Sequence, residues 1–152
     1  MKTPLKTFLI LAVALAATLI SCDDDIDDDP VISKNGDTGS HHQGANCSGC
    51  HNSNQITVFS VSGTIFQEDL RNTAPNGMVM LYTGKNGSGS LVKTIEVDAN
   101  GNFYTTENID FTQALYPVAE SARGASMFMP RPATSGACNS CHGTQEEVIW
   151  VN

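Results

Sequence analysis

The sequence predicts a mainly β chain: a small antiparallel β-sandwich flanked by two loop or short-helix segments that carry its chemistry. Three observations lead there. Apolar residues alternate over short runs, with Phe59, Val61 and Ile65 sharing one parity and Leu91, Ile95 and Val97 another. Turn signals separate the runs at Asn76-Gly77, at Asp98-Ala99-Asn100-Gly101 and in the Gly/Ser stretch Lys85–Ser90. After the leader, no stretch has a convincing helical period, which argues against a small all-helical fold.

From these signals strands are expected near Ile56–Gln67, Met78–Thr83, Leu91–Val97, Asn102–Thr106 and Leu115–Glu120, with a last one at Val148–Val151. Met78 and Met80 alternate within one of them and are explained best by core packing. Tyr104, Tyr116 and Trp150 are aromatic side chains suited to packing against a flat cofactor edge, although core duty accounts for each as well.

The chain of 152 residues divides into three parts. Residues 1–21 read as an export leader. Lys2 and Lys6 form a basic start, and the apolar run from Phe8 to Ile20 is too short for a comfortable span of about 20 residues. Residues 22–40 read as an acidic, flexible tether, because the run Asp23–Asp29 repels itself and stays solvated. Residues 41–152 form a single domain, with the sandwich at 55–130 and the chemistry at 41–54 and 131–146. Formal net charge is −8, and the two leader lysines leave 6 basic groups against 16 acidic ones. That excess disfavours nucleic acid and electrostatic adhesion to anionic lipid.

The five cysteines matter through their positions. Cys47-Ser48-Gly49-Cys50-His51 and Cys138-Asn139-Ser140-Cys141-His142 both match Cys-x-x-Cys-His, the attachment pattern of c-type haem. Two thiols at this spacing add to the two vinyl groups on one porphyrin edge. The following imidazole then lies under the ring as proximal iron ligand. Small residues between the cysteines avoid crowding the macrocycle. Three other readings compete: a four-thiolate zinc site, two thioredoxin-like redox pairs, or two plain disulfides. None of them calls for a histidine after both pairs, and thiolate zinc is ill suited to an exported chain. Two haem c groups are therefore expected, held by Cys47, Cys50, Cys138 and Cys141, with His51 and His142 on iron.

Only His41 and His42 remain as further histidines. An adjacent pair in extended backbone sends its rings to opposite sides, so the two are candidate distal ligands for different irons; a solvated pair in the tether is the alternative. Met127 and Met129, in what reads as a loop before the second motif, are the other candidates.

Leu19-Ile20-Ser21-Cys22 resembles a bacterial lipobox, which implies diacylglycerol on Cys22 and a membrane anchor. An ordinary secretory signal with an incidental cysteine is the alternative. The acidic run behind Cys22 resembles the surface-export signal of Bacteroidota lipoproteins; in other bacteria Asp23 would resemble an inner-membrane retention mark. Gly63-Thr64-Ile65, Ala74-Pro75-Asn76-Gly77-Met78-Val79-Met80-Leu81 and Val97-Asp98-Ala99-Asn100-Gly101-Asn102-Phe103 follow in order. Together they resemble the carboxypeptidase regulatory-like or transthyretin-like β-sandwich, which implies a scaffold without chemistry of its own. The expected function is a lipid-anchored dihaem c-type cytochrome of the periplasm or cell surface, passing electrons between redox protein partners and not an enzyme. A dihaem peroxidase-like enzyme and a haem-based sensor or binding module are the alternatives.

Overall fold

The computed structural model describes residues 29–54 and 57–152; the leader, Cys22 and Asp23 to Asp28 lie outside the described residues. Among the described residues the chain is mainly β, and its strands form a small sandwich. The strands are β1 (Val61–Thr64), β2 (Phe66–Gln67), β3 (Met78–Tyr82), β4 (Leu91–Glu96), β5 (Asn102–Thr105), β6 (Tyr116–Glu120), β7 (Ser126–Phe128) and β8 (Trp150–Val151). One layer is an antiparallel sheet in the order β4-β3-β6-β7. The other holds β1 paired antiparallel with β5, while β2 runs parallel to β8.

Side-chain alternation joins the layers. Val79 and Leu81 of β3, Ile95 of β4 and Ala119 of β6 pack into one cluster with Val61, Ile65, Phe103, Leu115 and Val151. Met78, Met80 and Tyr82 have the opposite parity and lie half-buried on the outer face of the four-stranded sheet. The core role expected of the two methionines thus belongs to Val79 and Leu81. At the Asp98–Gly101 turn, one Asp98 oxygen accepts the backbone N–H groups of Asn100 and Asn102 at 2.9 and 3.0 Å. Gly101 there takes φ 84°, open to glycine at little cost.

Four other expectations are revised. The long strand expected from Ile56 is divided: Ile65 N–H donates to Gly101 O and Phe66 N–H to Ile149 O, so the chain leaves β5 for β8 at that point. Leu91 does not continue the inward series of Ile95 and Val97. A bulge sets Leu81 against Lys93 and Tyr82 against Leu91, and Leu91 remains exposed. Met127 lies in β7, and Met129 follows it with its N–H on Pro117 O, where a loop was expected. Residues 31–40, expected to belong to a flexible tether, are docked on the sandwich. Ile32 bridges Thr105, Ser33 donates from its N–H to Tyr104 O at 3.0 Å and from its hydroxyl to Glu96 O at 2.6 Å, and Asn100 donates to Ser40 O. The physical reason is that these short polar side chains satisfy the free edge of β5 instead of solvating the chain.

Candidate functional site

Both Cys-x-x-Cys-His segments fold into the same single turn. Each starts with a 3₁₀ turn, Cys47–Gly49 or Cys138–Ser140, closed by Cys50 N–H on Cys47 O at 3.1 Å and by Cys141 N–H on Cys138 O at 3.2 Å. The second cysteines have almost the same backbone angles, φ −106° and ψ −42° at Cys50, φ −107° and ψ −50° at Cys141. His51 and His142 then donate their N–H to Cys47 O and Cys138 O, at 2.8 and 3.0 Å. All four cysteines are free of disulfides, the first of each pair half-buried and the second exposed.

The imidazoles share a further feature. His51 Nδ1 is 3.3 Å from Thr57 O, and His142 Nδ1 is 2.7 Å from Glu147 O. A carbonyl brings no proton, so Nδ1 must be the N–H donor, and Nε2 is left with its lone pair free. Fixing the tautomer through a backbone carbonyl is how a metal-binding histidine is ordinarily oriented. Among the described residues, no three Cys, His, Asp or Glu side chains converge to hold a metal ion by themselves.

The sandwich brings the two motifs to one strand. Ser62 N–H donates to Gly136 O at 2.8 Å, and Thr64 Oγ1 accepts Gly44 N–H at 2.8 Å, so β1 holds the second motif and the approach to the first. Asn139 lies between the cysteines of the second motif and is buried. Its amide donates to Ala45 O at 2.9 Å and to Thr64 Oγ1 at 3.2 Å, while its oxygen accepts Thr64 N–H at 3.3 Å. Gly63 leaves the room this requires, because a Cβ there would lie 2.5 Å from the Phe103 ring and 3.0 Å from Cys138 Cβ. Burial raises the Cys47 thiol pKa, partly offset by a hydrogen bond with Ser62. It pushes that of Cys138 up to about 12.

The surroundings of the two motifs differ. His41 lies with its ring centre 6.2 Å from that of His51. His42 meets His41 edge-on at 4.9 Å, from a left-handed backbone at φ 53°. His51 also stacks on Phe59 at 4.2 Å, and Phe59 on Tyr104 at 4.8 Å. Asn102 donates to His41 O at 3.2 Å and to Ser40 Oγ at 2.9 Å, which ties the histidine pair to β5. The second motif opens instead onto a cavity of about 560 Å³ lined by Met127, Met129, Cys138, Cys141, His142 and Trp150. That volume suits a sizeable organic ligand. Neither His41 nor His42 lines it. Tyr116 pairs with Tyr82 across the four-stranded sheet and lines no part of the cavity.

The structure therefore groups His41, His42 and His51 at the first motif, and Met127, Met129 and His142 at the second. Cys22 lies outside the described residues. Sequence reasoning missed Asn139, Phe59 and Gly136. Asn139 is one of the small residues between the cysteines; its capacity for three hydrogen bonds was the available signal. Comparison with protein-family models, with curated proteins and with solved structures finds no match to this chain.

Proposed function

We propose that the chain is a dihaem c-type cytochrome, held by lipid at a membrane outside the cytoplasm, that passes electrons between redox protein partners. The observation that carries this reading is the repeated geometry of the two motifs: the same 3₁₀ turn, free thiols, and a histidine with Nδ1 on a carbonyl and Nε2 unengaged. Two such sites in one exported chain are what covalent haem requires and what zinc or disulfides do not.

When bound, each haem c supplies a one-electron iron couple. Cys47 with Cys50, and Cys138 with Cys141, would hold the two macrocycles as thioethers. His51 and His142 would donate Nε2 to iron, and Thr57 O and Glu147 O would keep each imidazole upright and make it a stronger base. Phe103 and Trp150 give the cavity beside Cys138 and His142 aromatic walls on which a flat macrocycle could pack. The anchor rests on Cys22 and the leader, and the excess of acidic groups favours protein partners over nucleic acid. Among the described residues no helix is long and apolar enough to cross a membrane.

The test is the intact mass of the purified exported protein together with a pyridine haemochrome spectrum. The expected result is two covalent haems. Converting Cys47 and Cys50 to Ala leaves one, and converting Cys138 and Cys141 leaves the other. A mass without any haem adduct ends the reading. A carbon monoxide challenge of the reduced protein separates electron transfer from an enzyme or sensor, because only an iron with an open sixth site takes the gas.

A further inference from the structure

We infer that the two haem sites are chemically unequal, with His41 as the distal ligand of the first iron and a methionine thioether from the β7 edge as that of the second. The inference rests on the dihaem reading above and assigns the sixth ligand within each site.

At the first motif the fit is one of distance. A metal bound by two imidazole nitrogens at about 2 Å each holds the ring centres about 6 Å apart, allowing for the half-width of each ring. His41 and His51 have their ring centres 6.2 Å apart. His41 is held there by its backbone, because its carbonyl accepts from Asn102, a residue buried in the sandwich. His42 presents its edge to His41 and is left as a neighbour of the ligand.

At the second motif the argument is the set of side chains present. The chain has 4 histidines, and both of those not in a motif are placed at the first one. The cavity beside His142 holds two thioethers. The register of β7 directs them there. Met127 pairs with Ala119, which in turn pairs with Val79, so Met127 shares the inward face of those two core residues. Met129, two positions on, keeps the same parity, and both methionines line the cavity with His142. Of the neutral side chains lining the cavity, the two methionines supply the soft sulfur donors, whereas Thr134, Ser135 and Gln145 carry only hard oxygen or amide groups.

The consequence is directional. Methionine opposite histidine raises a haem potential relative to two histidines, so an electron delivered to the first site comes to rest on the second. The two attachment segments meet on β1: Gly44, three residues before Cys47, donates its N–H to Thr64 Oγ1, and Cys138 lies against Gly63.

The experiment uses the dihaem holoprotein, with two haems verified by mass before any other measurement. Ferric absorption and magnetic circular dichroism are recorded in the far red, where a methionine-ligated haem has a sulfur-to-iron band, beside a potentiometric titration. Met127→Leu, Met129→Leu and His41→Ala are compared; the first two conserve volume and leave the fold intact. The expected wild-type result is one sulfur band per two haems and two separated reduction waves. One of the two Leu variants loses the band and the more positive wave. His41→Ala keeps the band while one haem becomes high-spin. Two covalent haems without a sulfur band, a band indifferent to both Leu variants, or His41→Ala without a spin change overturns the assignment and leaves the dihaem reading standing. A protein without haem overturns both.

Discussion

Asn139→Ala is the substitution that most directly tests how the two motifs are held together. The side chain makes three hydrogen bonds, to Ala45 O, to Thr64 Oγ1 and from Thr64 N–H, and is 5% exposed. Ala45 is exposed, so its carbonyl can turn to water, and losing that bond costs about 1 kcal/mol. Thr64 is fully buried, and its N–H would lose its bond to the Asn139 oxygen, which costs about 1–3 kcal/mol. The sum, about 2–4 kcal/mol, lowers a urea midpoint by about 1–2 M for a protein of this size. Equilibrium urea unfolding of the haem-free chain, followed by tryptophan fluorescence from Trp150, measures it. In the holoprotein the same variant loosens the first motif as well as its own, so the spectra of both haems broaden. A midpoint within about 0.3 M of wild type, with both haem spectra unchanged, would refute the idea that Asn139 joins the sites.

The remaining predictions concern packing, protonation and anchoring. Gly136→Ala sets a Cβ against Ser60 O and 2.7 Å from Val61 Cα, and should cost about 2–3 kcal/mol in the same unfolding assay. Gly49→Ala, inside the first motif but with nothing within 4 Å, is the control and should be within about 1 kcal/mol of wild type. With free thiols, burial lifts the Cys138 pKa from 9.0 to about 12. The folded chain then keeps a proton that the unfolded chain gives up, so the associated stability is whole below pH 9 and is lost as pH rises toward 12. Urea midpoints taken between pH 7 and about 10 should fall above pH 9 in the haem-free chain and fall less in the holoprotein, where a thioether cannot titrate. Cys22→Ala should abolish acylation and release the protein from the membrane fraction; processed mutant protein that stays with the membrane would contradict the lipobox.

The sandwich was legible because alternation and turn chemistry are local. Val79 and Leu81, Asn76-Gly77 and Asp98–Gly101 act within a few residues, and all fall inside or beside expected elements. What could not be read was non-local. The chain changes partner between Ile65 and Phe66 only because Gly101 O and Ile149 O are there to receive their N–H groups. The bulge at Leu81 and Tyr82 reverses the side of Leu91 without any mark in the sequence. β7 is three residues long, below the length at which a period declares itself, and forms because β6 offers it an edge. The site shows the same division. Cysteine and histidine spacing announced both motifs, while the separation of His41 from Met127 and Met129 depends on long-range partners, Asn102 of β5 for His41 and β6 for the methionine segment. Ser33 and Ser40 read as solvating residues and act as strand partners, since composition cannot distinguish a polar side chain facing water from one facing an unpaired backbone edge.

The docking of residues 31–40 along β5 also sets a leash length. If Cys22 carries the lipid, an undocked segment up to Ser40 would give the domain a radius of about 60 Å above the bilayer, at about 3.5 Å per extended residue. With the chain already committed at Val31, whose carbonyl receives Thr106 N–H, only the acidic stretch behind Cys22 is left to pay out, and it reaches about 30 Å. If the chain exchanges electrons with a partner protein, that partner's own height above the lipid then becomes a condition for exchange.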